Sequence, residues 1–161
     1  MPIYMKYEGI TGSVTEANHK QWIELQSCQW GLSRNVQAVV GSSGERESGQ
    51  PHFSDISITK EQDNSTGKLM KECVQNTKGK KVEIEFTSTD NQPVMKITLE
   101  KAIITSQSGG GHGGPSHGPT VESYSINFNK IEFVPTLRNP DGTEAKNPER
   151  VGYDLGEAKP F

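Results

Sequence analysis

Along most of this chain apolar and polar residues alternate with a period of two, the signature of strands that bury one face. The segment "IYMKYE" sets Ile3, Met5 and Tyr7 on one side, and "KVEIEFTS" sets Val82, Ile84 and Phe86 against Lys81, Glu83 and Glu85. "FSDISITK" alternates through Ile56 and Ile58, and "PVMKITLEKAII" through Met95, Ile97, Leu99 and Lys101, with a break at Gln92-Pro93 that suits a turn. "RNVQAVV" (34–40) reads as a further strand, and Val151 to Leu155 as a short one in a turn-rich tail.

Two segments change parity. In "WIELQSCQWG" Ile23 and Leu25 share a side while Cys28 and Trp30 fall on the other, so a bulge or bend near Gln26 and Ser27 is needed to turn all four inward. "ESYSINFNKIEFV" slips in the same way between Tyr124, Ile126 and Phe128 and the later pair Ile131 and Phe133. Bulges bend strands and let a sheet curl. The expected fold is therefore mainly β: a single compact β-barrel of two sheets, or a tightly curled sandwich, with one α-helix packed on its side and long flexible loops. The helix is "KLMKECVQN", with Leu69, Met70, Cys73 and Val74 on one stripe and Asp63, Asn64 or Ser65 available as its cap. "GSSGERESGQP" (41–51) reads as a mobile loop, no internal repeat is present, and residues 1–161 read as one domain.

Composition changes this picture in one respect. The hydrophobic fraction of 30% is low even with the 17 Gly added, which implies a thin core that partners help to cover. The 17 Lys+Arg against 20 Asp+Glu give a net charge of -3 spread along the chain, so neither nucleic-acid binding nor attraction to an anionic membrane is expected. No apolar run approaches the roughly 20 residues that span a bilayer, and "MPIYMKYEGITG" lacks the features of a secretory signal, so a soluble cytoplasmic chain is expected. Cys28 and Cys73 lack metal or redox spacing and read as small apolar side chains.

The one passage that invites a chemical reading is "SGGGHGGPSHGPT" (108–120). Gly109, Gly111 and Gly114 spell G-x-G-x-x-G, but Pro115, Pro119 and an alternating strand follow where a pyrophosphate cradle needs a helix N-terminus. Gly44 to Gly49 is followed by Gln50-Pro51 where a P-loop needs Lys and Ser/Thr. His112 and His117 have no carboxylate or thiolate nearby, and His19 and His52 are isolated, whereas a metal site needs three or four placed ligands. No nucleophile elbow occurs, and Glu83/Glu85 lie on a solvated strand face. Asn64-Ser65-Thr66, a formal sequon, reads better as a helix start. No catalytic residue, cofactor or metal is expected. By elimination 108–120 is a flexible connection between two long strands, and loops of this length tend to be functional or disordered.

Three segments then carry a resemblance: "CQWGLSR" (28–34), "FSDISITKEQDNSTGKLMKECVQN" (53–76) and "VESYSINFNKIEFVPTLRNPDGT" (121–143). In this order and over nearly the full length, the chain resembles the haemolysin-coregulated proteins (Hcp), which form the inner tube of bacterial type VI secretion systems. The resemblance implies a β-barrel of two sheets with a helix on its side, assembled into homohexameric rings that stack as a hollow tube. It implies export by the machine without a signal peptide, from cytoplasm to the extracellular space, and small effector proteins carried inside the ring. Partners implied are further copies of the chain, sheath and spike or baseplate proteins, and effectors, with no enzyme activity. In the family the residue before the Trp-Gly pair faces the lumen, which carries over to Gln29. An extended loop lies where rings meet, with Gly41, Ser42, Ser43 and Gly44, and Gly109, Gly110, Gly111, His112, Gly113, Gly114 and Pro115, as candidates. The His-containing, Pro-rich expansion of 109–119, and Cys28 where many members have an aromatic, depart from the family pattern. The rivals are a tail-tube protein of a phage-like contractile injection device, a solitary β-barrel binding module and an unrecognised enzyme.

Overall fold

A computed structural model describes residues 1–37, 40–41, 47–76, 78–115, 118–146 and 149–161. In chain order the elements are β1 (Ile3–Tyr7), β2 (Ile23–Leu25), β3 (Ser27–Gln29), β4 (Leu32–Gln37), β5 (Glu47–Phe53), β6 (Ile56–Glu61), α1 (Thr66–Gln75), β7 (Lys80–Thr87), β8 (Pro93–Gly110), β9 (Val121–Asn127), β10 (Lys130–Pro135), β11 (Val151–Asp154) and β12 (Lys159–Pro160). The first sheet runs β12-β11-β10-β8-β7-β1-β2, while β3, β6, β9 and the far half of β8 form a second, and all these pairings are antiparallel. A separate ribbon, β4-β5, has exposed side chains along all of β4.

Both parity changes are where the chain turns from one sheet to the other. The strand breaks at Gln26, so β2 pairs with β1 and β3 pairs with β6. It breaks again at Phe128-Asn129, so β9 serves the second sheet and β10 the first. A third bend was invisible in the alternation: β8 buries Ile97 and Leu99, then Ala102 and Ile104, with Lys101 at φ 53° between them. Here Gly79 passes so close that a Cβ on it would lie 2.3 Å from Lys101 Cα. Lys101, placed by period two on the inward face, is exposed.

The curled two-sheet body stands as expected, but it does not close as a barrel. At Gln26 and in β8 the hydrogen bonding is handed between sheets by bent strands rather than by one uninterrupted ladder, and β10, β11 and β12 carry the first sheet on past the corner. Between the sheets lie Met5, Ile23, Ile84, Ile97 and Leu99 from the first, and Ile56, Ile58, Ile104, Tyr124 and Ile126 from the second. Leu69 of α1 is buried and Cys73 packs against the same core. The other half of the expected stripe faces outward, with Met70 43% and Val74 81% exposed, because a ten-residue helix lying on a wall turns only its i, i+4 line inward. Ser65 takes the N-cap position without capping the helix through its side chain; its N–H (2.9 Å) and its hydroxyl (2.5 Å) both donate to Asp63 Oδ1 instead.

Two loops are shorter than the sequence implied. Strand β8 continues through Ser108, Gly109 and Gly110, paired with Ser123, Glu122 and Val121, and β5 begins at Glu47 inside the polar stretch 41–51. Backbone pairing across a hairpin needs N–H and C=O groups, not apolar side chains, so composition hides it. The end of the strand read over 34–40 lies partly outside the described residues, at Ala38 and Val39. Among the described residues no helix is long and apolar enough to cross a membrane.

After Ile10, which belongs to the core, residues 11–22 fold over the outside of the first sheet, where His19 meets Tyr4 and Glu85. Gly12 N–H donates to Gln21 C=O (2.7 Å), and a Cβ on Gly12 would fall 2.1 Å from Trp22 O. The obstacle is backbone and cannot rotate away. Gly12→Ala is expected to lower stability by about 1–3 kcal/mol, seen as a lower urea midpoint with an unchanged slope.

Candidate functional site: an uncharged hydroxyl face

The outer faces of the two sheets differ in kind. On the first sheet, register aligns Glu24, Tyr4, Glu85 and Lys96 in one row and Lys6, Glu83, Thr98 and Glu132 in the next. Ion pairs lace this face, among them Lys81–Glu83 (3.2 Å), Lys96–Glu83 (3.4 Å) and Arg150–Glu132 (2.9 Å). On the second sheet the register aligns Ser27, Thr59, Ser123 and Ser108, and beside them Gln29, Ser57, Ser125 and Ser106. These rows carry no charged or aromatic side chain. Among the described residues charge returns beyond them, at Glu61 and at Asp55, which accepts from Thr105 Oγ1 and Asn127 Nδ2 (both 2.9 Å).

The period-two pattern explains why these residues share a face. Cys28, Ile58, Tyr124 and Ile126 turn into the core, which forces their sequence neighbours outward. Ser27 and Thr59 hydroxyls bond each other at 2.6 Å. A shallow depression of about 280 Å³ spans the rows from Ser27 and Gln29 to Ser106 and Ser108. Each hydroxyl both donates and accepts, so water covers the face readily. Little apolar area is offered for burial, and drying the hydroxyls without partners would cost about 1–3 kcal/mol each. Such a surface tolerates a passing polar molecule and resists permanent packing.

The edges of the second sheet behave differently. Among the described residues, the far half of β8 pairs with β9 alone, and β3 pairs with β6 alone. Each leaves a row of backbone groups free to accept another strand.

Of the residues singled out by sequence, Gln29 sits exposed on the hydroxyl face. Gly109 and Gly110 are in β8; Gly111, His112, Gly113, Gly114 and Pro115 form the exposed connection beyond it. Gly41 is exposed at the far end of the β4-β5 ribbon, whereas Ser42, Ser43, Gly44 and His117 lie outside the described residues. The hydroxyls themselves were missed. Their signal is that the outward positions of "SCQ", "ISIT", "SQS" and "ESYS" are Ser, Thr or Gln where other strands have Lys and Glu. Burial pushes the Cys28 thiol up to about 12, which keeps it protonated and unreactive. Among the described residues no group of three His, Cys, Asp or Glu could hold a metal ion.

The family model described as "Type VI secretion system effector, Hcp" matches residues 4–134. The chain belongs to the Hcp family. No curated protein matches it by sequence. Among solved structures, one described as a type six secretion system protein aligns at 21% identity with a TM-score of 0.91, covering 99% of both chains. Hcp1 of Salmonella typhimurium aligns at 18% identity and TM-score 0.80, over 99% of this chain and 98% of its own. A type VI secretion system effector of Yersinia pestis aligns at 18% and 0.72, over 94% and 98%. At these identities the structures speak for the fold, and the family match places the chain among type VI secretion proteins. The Hcp model ends before the β11-β12 hairpin.

Proposed function

We propose that this Hcp protein is a non-enzymatic tube subunit. Copies join side by side into a hexameric ring, the far half of β8 of one copy meeting β3 of the next, so that the hydroxyl faces line a channel. The observation that carries this reading is the placement of an uncharged hydroxyl face between two sheet edges that are each open on one side among the described residues. An open edge gains hydrogen bonds from a neighbour, and a repeated head-to-tail contact closes a ring.

Rings stack through the tip of the β4-β5 ribbon around Gly41 and the connection from Gly111 to Pro115. The tube meets sheath, spike and baseplate proteins in the cytoplasm and leaves the cell with small effectors inside the channel. Gln29, with the longest side chain in the two hydroxyl rows, contacts that cargo. Native mass spectrometry and negative-stain microscopy of the purified protein test the ring: sixfold particles are expected, and single chains at every concentration would overturn it. Gln29→Trp is expected to reduce co-purification of an effector while rings persist; undiminished retention removes Gln29 from the cargo site.

A further inference from the structure

We propose that His19 is a pH-operated latch: as an imidazolium it ties the turn of residues 13–21 to β7, and this turn lifts from the first sheet when the ring loses its proton. This latch does not depend on ring formation.

Within 11–21, Gly12 and His19 are the buried residues, and His19 is 3% exposed. Its Nδ1 lies 2.5 Å from Glu16 Oε2, and its Nε2 hydrogen-bonds Glu85 Oε2 of β7. The ring stacks on Tyr4 with centroids 4.5 Å apart, and the edge of Trp22 meets it at 4.9 Å. A carboxylate oxygen can only accept, so both ring nitrogens must donate, and only the imidazolium carries two N–H groups. A neutral ring would face one carboxylate with a bare lone pair, between aromatic walls that leave little room for water.

Tyr4 comes from β1, with Lys6 next along the same face; Glu24 of β2 lies opposite Tyr4. Glu85 and Glu83 come from β7, and Lys96 of β8 lies opposite Glu85 but is paired with Glu83. The two carboxylates in contact are Glu16 and Glu85, and no cation touches either one among the described ion pairs apart from His19 itself. The hydrogen bond from His19 holds the Glu16 carboxyl below its usual range. The latch thus has two limits of opposite sign. A lowered carboxyl contributes above its ordinary range and fails as pH falls, whereas donation to both carboxylates needs both ring N–H groups and fails when one is lost. Release on the alkaline side uncovers Tyr4, an aromatic ring on an otherwise charged face.

The test is amide exchange of the full-length chain between about pH 6 and about pH 9, with ¹⁵N shifts of the His19 ring recorded on the same samples. Exchange of residues 11–21, referenced to the β8-β9 hairpin to remove the intrinsic pH effect, is expected to accelerate about tenfold or more as the ring signals change from doubly protonated to neutral. His19→Gln is expected to leave the segment open at every pH with the step abolished. Should that variant fail to fold, Glu85→Gln keeps the ring in place and is expected to move the step to lower pH. A neutral imidazole in the closed state, or exchange of 11–21 that tracks the hairpin throughout, overturns the latch.

Discussion

Glu122→Leu is expected to destabilise the fold by about 3–5 kcal/mol, the largest single effect of any side-chain change considered for this molecule. Lys60 is 0% exposed, and its ammonium lies 3.1 Å from Glu122 Oε2, 2.9 Å from Asp63 Oδ1 and 2.7 Å from Glu61 C=O. The same Glu122 oxygen accepts from Thr66 Oγ1 and Tyr124 OH, both at 3.1 Å. This network joins β6, β9 and the first turn of α1 beneath the hydroxyl face. Removing Glu122 strands a buried ammonium with one carboxylate fewer. Removing both charges as Lys60→Met with Glu122→Leu is expected to recover most of the loss, because apolar groups of similar size need no partners. Chemical denaturation of the three variants measures the coupling; a double variant as unstable as the sum of the singles contradicts it. Burial draws the Asp63 carboxyl upward, but hydrogen bonds from Ser65 and Lys60 and the charge of Lys60 carry it below its usual range. Its share of the stability is therefore present above the ordinary carboxylate range and is lost as pH falls.

The second large effect concerns assembly. Placing Lys at Ser106 and Ser108 is expected to convert rings to single chains while leaving the unfolding free energy of the chain within about 0.5 kcal/mol of its starting value. Both positions are exposed on the far half of β8. Ring closure would crowd these ammonium groups around one channel without counter-charges, and lysine on an open edge is a common guard against strand addition. Thr98→Lys, on the already charged face of the first sheet, serves as the control and is expected to leave rings intact. Light scattering reads the outcome. Rings that survive the β8 substitutions exclude this edge as the contact, whereas rings lost in the control would place the contact on the first sheet.

Much of the architecture was legible before any coordinates. The alternation in "KVEIEFTS" and the parity slips at Gln26 and Phe128 located strands and two of the corners, because a slip in a period of two can keep apolar residues inward only by bending the backbone. The bend at Lys101 escaped, since it lies where Gly79, distant in sequence, passes close against the strand. Helix α1 was legible in position but not in orientation. Leu69 and Met70 look alike as letters, and only the angle at which the helix meets the wall decides that one is buried and the other is not.

Taken alone, the sequence determined most of the apolar strands, the position of the helix and the family, because these depend on local periodicity and short spacings. Tertiary structure decided what stands beside what. Ser27, Thr59, Ser123 and Ser108 come from four separate strands and become one row only through register. His19 meets Glu85 across 66 positions, and Lys60 meets Glu122 across 62. Contacts between distant segments are fixed by how sheets curl and stack, and a one-dimensional pattern carries no record of that.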